Sequence, residues 1–117
     1  MDVKEVAAEF TAMLKAGDHD GAAVRFNADD IVSCEPLEGD MAEVRGKSEV
    51  KAKGEWWTSA HEVHSMSVDG PAVNGDQFAV GFFMDITNKQ SGERMQTEEI
   101  GIYTVKDGKI VAERFFY

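Results

Sequence analysis

The C-terminal stretch QFAVGFFMDITNKQSGERMQTEEIGIYTVKDGKIVAERFFY, residues 77–117, decides the fold class. Residues 77–87 and 94–105 are rich in β-branched and aromatic side chains, and apolar and polar positions alternate along both runs. Both features are typical of half-buried strands. A polar turn separates the two runs, and Asp107-Gly108 supplies a tight hairpin before a last run at 110–117. The stretch therefore predicts three antiparallel strands that follow one another along the chain.

The sequence before this stretch predicts three helices. The first spans residues 3–16, where apolar side chains recur at the i, i+3, i+4 spacing of one helical face. Gly17 ends this helix, and Asp18 caps a short second helix that fades at Asn27. A third helix opens at Lys47 or Ser48 and runs to about Trp57.

Further strands lie between and after the helices. Asp29-Asp30 predicts a turn, residues 31–35 a strand, and residues 42–45 a short edge strand. Residues 61–68 predict another strand, which the turn signal Asp69-Gly70-Pro71 ends. Helices first and a run of strands later indicate one α+β domain with the helices packed on one face of a sheet.

The amino-acid composition excludes some classes of partner but does not identify a function. The chain carries 22 acidic and 12 basic residues and a formal net charge of -10. This balance argues against nucleic acid and anionic membranes as partners, because both attract lysine and arginine. Cys34 is the single cysteine, so no internal disulfide forms and a cytoplasmic location is expected. The sequence has no signal-peptide pattern and no apolar run near the ~20 residues that cross a membrane.

Three segments of the chain resemble the nuclear transport factor 2-like superfamily, which includes the SnoaL-like polyketide cyclases and the ketosteroid isomerases. They are KAGDHDG at 15–21, ADDIVSCEP at 28–36 with Arg45-Gly46-Lys47 after it, and YTVKDGKIV at 103–111. The resemblance extends over essentially all of residues 1–117 and implies a single SnoaL-like domain. It implies a cone-shaped α+β barrel, with three N-terminal helices packed on a strongly curved, mostly antiparallel sheet. This fold hosts many unrelated functions, so it does not name a reaction.

The resemblance also implies which residues face the inside of the cone, since alternate residues of a strand point to opposite faces. The inward set is Phe78, Val80, Phe82, Met84, Glu99, Gly101, Tyr103, Val105, Glu113, Phe115 and Tyr117. The outward set includes Phe83, Ile102 and Phe116, which together are too apolar to stay in water. Family members commonly dimerise through this face, so a homodimer is expected.

Glu35 is the main catalytic candidate. Ketosteroid isomerases place a general-base carboxylate at the end of this strand, directly before a proline, and Glu35-Pro36 resembles that arrangement. A carboxylate at the mouth of an apolar cone can move protons near neutral pH; the alternative is a solvated rim residue. The two hydrogen-bond donors of the isomerases fall at Phe10 and Gly101, which cannot donate, so steroid isomerase activity is not expected. Glu99 acts as a donor only if it stays protonated.

The segment His61-Glu62-Val63-His64 raises the possibility of a metal site. On a strand, however, positions i and i+3 point to opposite faces, so the two histidines do not chelate one ion and no metal is expected. His64 is the favoured inward histidine, because Met66 and Val68 continue its side of the strand. The alternative reading places His61 and Val63 inside and His64 at the dimer face, since a shift of one residue exchanges the two faces.

The remaining site candidates are mostly aromatic. Tyr103 and Tyr117 place hydroxyl groups inside the cone, and one of Trp56 and Trp57 lines the pocket while the other packs elsewhere. The predicted ligand-contacting residues are Phe10, Trp57, Phe82, Met84, Glu99, Phe115 and Tyr117.

Two kinds of function fit this set of residues. The first is a cofactor-independent isomerase, cyclase or hydratase that acts on an apolar carbonyl compound, with Glu35 as the base and His64 and Tyr103 as hydrogen-bonding partners. The second is a non-catalytic domain that binds an apolar ligand or serves as a dimeric adaptor. Polar groups that converge on Glu35 favour catalysis, whereas an open apolar cone favours binding alone.

Overall fold

A computed structural model describes all 117 residues as three helices packed on a six-stranded mixed sheet that does not close into a barrel. This arrangement confirms the predicted α+β class. The elements in chain order are α1 (Val3–Lys15), α2 (His19–Phe26), β1 (Asn27–Cys34), β2 (Glu43–Arg45), α3 (Lys47–Ala60), β3 (His61–Asn74), β4 (Gln77–Asn88), β5 (Arg94–Lys106) and β6 (Lys109–Phe116). No helix combines the length and the apolar character needed to cross a membrane.

Helix α1 begins at a capping box. The Asp2 carboxylate accepts a 2.8 Å hydrogen bond from the Glu5 amide, and the Glu5 carboxylate accepts a 3.3 Å bond from the Asp2 amide. These two bonds satisfy amide donors that the first helical turn leaves free. The apolar stripe of α1 then faces the sheet, where Val6 and Phe10 are buried.

The strand order β2-β1-β6-β5-β4-β3 places the last strand in the middle of the sheet. Strand β6 pairs antiparallel with β5 but parallel with β1. The parallel register sets Ser33 of β1 beside Glu113 of β6. Two residues that are 80 positions apart in sequence therefore share one face of the sheet.

The core lies between the helices and the concave face of the sheet. The predicted alternation along β4 is confirmed, since Phe78, Val80, Phe82 and Met84 are buried while Phe83 on the other face is 45% exposed. Rings close the middle of this core, with the Phe10 and Tyr103 centroids 4.9 Å apart. An aromatic cluster of this kind adds about 0.5–1.5 kcal/mol per ring pair to the gain from burying area.

Two predicted turns are strand in the structure. Asp29 and Asp30 belong to β1, where both are exposed and β2 is too short to reach them. The Asp69-Gly70-Pro71 segment stays within β3, because the extra residue is absorbed where the β3–β4 register shifts between Asp69 and Ala72. Gly70 fits this shift because its φ is +119°, and a Cβ there would lie 2.9 Å from the Ala79 carbonyl oxygen.

Candidate active site

Polar side chains from four elements meet at one end of the sheet. They are Ser33 within β1, Glu35 directly after β1, Lys53 of α3, Glu99 of β5 and Glu113 of β6. Together they are called the Lys53 cluster. Strand alternation puts Ser33 and Glu35 on one side of the chain. The parallel pairing of β1 with β6 brings Glu113 to that same side.

A chain of three contacts links four of the five members of the Lys53 cluster, all except Glu99. The Lys53 Nζ lies 2.9 Å from the Glu35 Oε1 in an ion pair. The same ammonium donates a 2.7 Å hydrogen bond to the Ser33 Oγ, and the Ser33 hydroxyl donates a 2.8 Å bond to the Glu113 Oε2. Ser33 therefore uses one donor and one acceptor, which leaves its hydroxyl satisfied in the interior.

Glu35 lies where the sequence places it, one residue beyond the end of β1 and before Pro36. Its amide donates a 2.9 Å hydrogen bond to the Ala42 carbonyl, which fixes the backbone at this point. One carboxylate oxygen is held by Lys53. The other, Oε2, is buried and has no hydrogen-bond partner. A buried acceptor without a partner is costly in free energy, so Oε2 is available to a ligand proton or donor.

Glu99 projects inward from β5, as predicted, and is half-buried. Burial, with a further contribution from the nearby Glu35 carboxylate, raises its pKa from 4.5 to about 7. The pKa of Glu113 is also raised, chiefly because the group is buried. Glu99 can donate a hydrogen bond only while it is protonated. With this pKa it keeps its proton about half of the time at neutral pH, so this requirement is met in part.

Tyr103 forms the inner wall beside these carboxylates. It is 3% exposed and its ring stacks on Phe78 with centroids 5.0 Å apart. Burial and the nearby Glu113 raise its pKa well above 10, and no carboxylate of the cluster is hydrogen-bonded to it. The ring lies over Gly101, where a Cβ would be 3.0 Å from the Tyr103 hydroxyl oxygen. A protonated phenol therefore occupies the space beside the residue at which the isomerase donor is missing.

Phe115 and Tyr117 border the cluster where it meets solvent. The Lys53 ammonium lies 5.5 Å from the centroid of the Phe115 ring, within the range of a cation–π contact. Tyr117 is 61% exposed. Burial of its hydroxyl raises its pKa, and so does the Glu35 carboxylate, which this hydroxyl approaches as a hydrogen-bond donor, although Oε2 accepts no hydrogen bond of ordinary length. The inward orientation predicted for the end of β6 therefore gives the cluster an aromatic edge.

The predicted inward position of His64 is wrong. Its Nε2 lies 2.7 Å from the Thr87 Oγ1, on the outer face of β4 beside Asp85. The β3–β4 register shifts between Val63 and Ser65, so His64 is the extra residue of a bulge. Because of this additional residue, side chains before the bulge no longer alternate in phase with those after it. His64 therefore does not lie on the same face as Met66, where simple alternation places it. His64 is thus no partner for Glu35. Of the residues that the alternative places inside, His61 is half-buried and stacks on Trp57, whereas Val63 is 41% exposed.

The other predicted ligand-contacting residues are spread between the core and the end of α3. Phe10, Phe82 and Met84 are buried and pack within the core. Trp57 stacks on His61 with ring centroids 4.6 Å apart, whereas Trp56 is 52% exposed. Two surface clefts lie away from the Lys53 cluster: one of about 340 Å³ between Leu14 and Met66, and one of about 570 Å³ across the outer face near Phe83.

Sequence reasoning missed Lys53 and Ser33. The signal for Lys53 was its spacing, since Val50, Lys53 and Trp57 lie at i, i+3 and i+7 on α3 and share the sheet-facing side. The signal for Ser33 was its alternation with Glu35 along β1. No three His, Cys, Asp or Glu side chains are arranged so that they could hold a metal ion.

Comparison with known proteins decides the family. A family model for the SnoaL-like domain matches residues 1–117. The chain belongs to the SnoaL-like domain family. This SnoaL-like domain is 54% identical to a Mesorhizobium loti protein, provisionally described as a SnoaL-like polyketide cyclase, over 100% of both chains with a TM-score of 0.97.

More distant structures share the fold of this SnoaL-like domain. A Jannaschia protein provisionally described as a SnoaL-like polyketide cyclase is 16% identical, with a TM-score of 0.77 over 99% of this chain and 88% of that chain. A Bacillus subtilis protein provisionally described as an isomerase is 19% identical, with a TM-score of 0.74 over 98% of this chain and 88% of that chain. At this identity the likeness concerns the fold alone. No curated protein matches the chain.

The raised pKa of Glu99 predicts a pH-dependent stability. The folded state holds this proton up to about pH 7 and the unfolded state only to about 4.5, so the free energy of unfolding falls as pH rises between these values. Glu99→Gln removes this loss. We expect the variant to be about 1–2 kcal/mol more stable than wild type at pH 8, after allowance for the solvent exposure of the group.

Urea unfolding at pH 4.5, 6 and 8 measures this difference, which should shrink towards zero at pH 4.5. Glu98→Gln is the matched control, because Glu98 is the exposed neighbour of Glu99 on the other face of β5. A Glu99→Gln difference that is the same at all three pH values would contradict the assigned burial of this carboxyl group.

Proposed function

We propose that this SnoaL-like domain is a cofactor-independent proton-transfer enzyme that acts on a small carbonyl compound, with Glu35 as the base. The observation that carries the proposal is the Glu35 Oε2, which is buried and unpartnered beside a buried, protonated Tyr103. Removal of a proton next to a carbonyl requires a base at the carbon and a hydrogen-bond donor at the oxygen. Glu35 and Tyr103 supply these two groups.

The proposed reaction has two steps. Glu35 Oε2 takes a proton from the carbon next to the carbonyl, and the Tyr103 hydroxyl donates a hydrogen bond to the oxygen that becomes an enolate. In a substrate whose enolate is conjugated with a double bond, Glu35 returns the proton at the far end of the conjugated system, which gives isomerisation. In a substrate with a second carbonyl, the enolate carbon attacks that carbonyl and Glu35 gives its proton to the alkoxide oxygen so formed, which gives cyclisation. Lys53 holds Glu35 through Oε1 in both steps and so keeps Oε2 pointed at the substrate.

One relative supports this choice of chemistry. The Mesorhizobium loti protein, which is 54% identical, is provisionally described as a SnoaL-like polyketide cyclase. Cyclisation passes through an enolate in the scheme above, so one base and one donor can serve it.

Exchange of substrate hydrogens tests the proposal before any product is known. Small aryl and cyclic ketones in D₂O should lose their α-hydrogen NMR signals faster with the wild-type protein than in buffer. Glu35→Gln should slow this exchange by about 100-fold or more, which is the usual contribution of a positioned base.

The matched control is Glu38→Gln, a neighbouring carboxylate in the exposed loop after Pro36. This variant should exchange the ketones at the wild-type rate. Equal exchange by wild type and Glu35→Gln would exclude Glu35 as the base, and circular dichroism of each variant checks that the fold is intact.

The outward position of His64 favours a second candidate, a domain that binds a ligand without converting it. With His64 bonded to Thr87, the site has one base and no imidazole to move protons onward. Ketones that bind without any hydrogen exchange would favour this candidate. Exchange that depends on Glu35 would favour the enzyme.

The outer face of the sheet is the proposed dimer surface. Phe83, Ile100 and Phe116 are each 45–50% exposed, and Ile100 lies opposite Phe116 in the β5–β6 ladder. Ile102 belongs to the same face but is partly covered. An apolar strip of this kind is costly to leave in water. Light scattering at micromolar concentration should give twice the 12.9 kDa chain mass, and Ile100→Glu should give the monomer.

We also propose that the protein works in a reducing compartment such as the cytoplasm. Cys34 is the only cysteine and is free, which fits a chain that does not depend on oxidative folding.

A further inference from the structure

The Lys53 cluster contains more negative than positive charge. Three carboxyl groups, Glu35, Glu99 and Glu113, face a single lysine. Lys53 forms its one ion pair with Glu35, and Glu113 is held by the neutral Ser33 hydroxyl. Glu99 has neither an ion-pair partner nor a hydrogen-bonded neighbour of opposite charge. The half-buried Glu99 therefore gains most from a positive charge brought by a ligand.

Two hydrogen-bonding groups near Glu99 are also without partners. The Glu35 Oε2 is buried and accepts no hydrogen bond. Tyr103 is only 3% exposed. Its hydroxyl lies close enough to all three carboxylates to feel their charge, but it is hydrogen-bonded to none of them. Both oxygens are thus open to the ketone part of a ligand, while an ammonium group, which carries three N–H donors, can donate to the neighbouring Glu99.

The walls of the site suit a cation as well. Tyr103 and Tyr117 lie close enough to the carboxylates to feel their charge, and the rings of Tyr103 and Phe115 meet edge to face at 6.2 Å. The Phe115 ring already faces the Lys53 ammonium at 5.5 Å. Aromatic faces beside carboxylates are a common environment for bound amines, because ring and carboxylate both attract positive charge.

We propose that the ligand of this site carries a protonated amine, which binds between Glu99 and the aromatic edge formed by Tyr103, Phe115 and Tyr117. The inference rests on the proposed function and narrows its substrate class to amino ketones. A carboxylate or phosphate group would be repelled by the unpaired Glu99 and by Glu113, so we expect anionic ligands to bind weakly or not at all at the same position.

Three ligands of nearly equal shape test the sign of the preferred charge. Benzylamine, benzyl alcohol and benzoate differ mainly in charge, which is positive, neutral and negative at pH 7. Isothermal titration of the wild-type protein should give at least about tenfold tighter binding of benzylamine than of benzyl alcohol, and no binding of benzoate. Benzoate that binds as tightly as benzylamine would overturn the proposal.

Proton release adds a second readout to this titration. A bound ammonium makes Glu99 give up the proton that it holds part of the time at pH 7. Titrations in phosphate and in MOPS, whose ionisation enthalpies differ, should show benzylamine binding at pH 7 with release of up to about half a proton. Benzyl alcohol should release none.

Two substitutions test whether the amine of the ligand binds beside Glu99. Glu99→Gln should reduce the advantage of benzylamine over benzyl alcohol to less than about threefold and abolish proton release. Glu98→Gln, the exposed neighbour on the outer face of β5, should keep both. An advantage that is unchanged in Glu99→Gln would overturn the assignment to Glu99.

The outcome separates this inference from the proposed function. Glu35-dependent hydrogen exchange of ketones without any preference for benzylamine would support the proposed function and contradict the amine site. A Glu99-dependent preference for benzylamine without hydrogen exchange of ketones would support the amine site and contradict the proposed enzymatic function.

Discussion

Replacing Lys53 with methionine is expected to lower the free energy of unfolding by about 3 kcal/mol at pH 8, since removing one partner of a buried ion pair leaves the other charge uncompensated. The side chains of Lys53 and Glu35 are only 12% and 14% exposed. Methionine fills a similar volume without the charge, so the loss reports the electrostatic role of Lys53 rather than a cavity. Urea unfolding measures the loss directly.

The loss in Lys53→Met should be smaller in acid. Lys53 lowers the pKa values of Glu99 and Glu113, against the larger effect of burial, so both pKa values rise further when it is removed. The folded state then binds protons more tightly than the unfolded state, and stability recovers as pH falls from 8 towards 5. Lys51→Met, an exposed position on the same helix, is the control and should change little. An equal loss at both pH values would contradict the role of Lys53 in balancing these carboxylates.

Gly101→Ala is expected to destabilise the domain by about 1–3 kcal/mol, the usual cost of overpacking a core. The added Cβ would lie 2.9 Å from the Tyr103 Cε2 and 3.0 Å from its hydroxyl oxygen. The ring has no room to withdraw, because Phe78 stacks on it at 5.0 Å and Phe10 packs against it at 4.9 Å. The phenol is therefore displaced, and ketone exchange should fall together with the melting temperature.

Gly54→Ala is the matched control for this substitution. Gly54 lies within α3, and a Cβ there would meet nothing within 4 Å. The same chemical change should then stabilise the protein by about 0.5–1 kcal/mol, because alanine loses less backbone freedom on folding. If Gly101→Ala behaves like Gly54→Ala, Tyr103 is not held where the structure shows it.

The sequence predicts those features that depend on one segment at a time. The alternation of β4 identifies Phe78 and Phe82 as core residues, and the strand end before Pro36 identifies Glu35. These features follow from the two-residue repeat of a strand and from the backbone limits that proline imposes.

Features that depend on two segments at once could not be predicted in this way. His64 is misplaced because the bulge at Val63/Ser65 exists only in the pairing of β3 with β4. The Lys53–Glu35 contact depends on how α3 lies across β1, and a helical repeat in the sequence specifies the buried side of α3 but not its partner. The raised pKa of Glu99 depends first on burial by neighbouring elements and then on the charges of Glu35, which follows β1, and Glu113 of β6.

The central place of β6 in the sheet also determines when the site can form. Ser33 and Glu113 touch across 80 residues, and β1 has no neighbour on that side until β6 has left the ribosome. During synthesis the nascent chain therefore holds β1 with one edge unpaired and Lys53 without its full set of neighbours. Contacts of such long range form slowly. The Lys53 cluster is thus expected to be among the last parts of the molecule to assemble, and the open edge of β1 can pair with other chains in that interval.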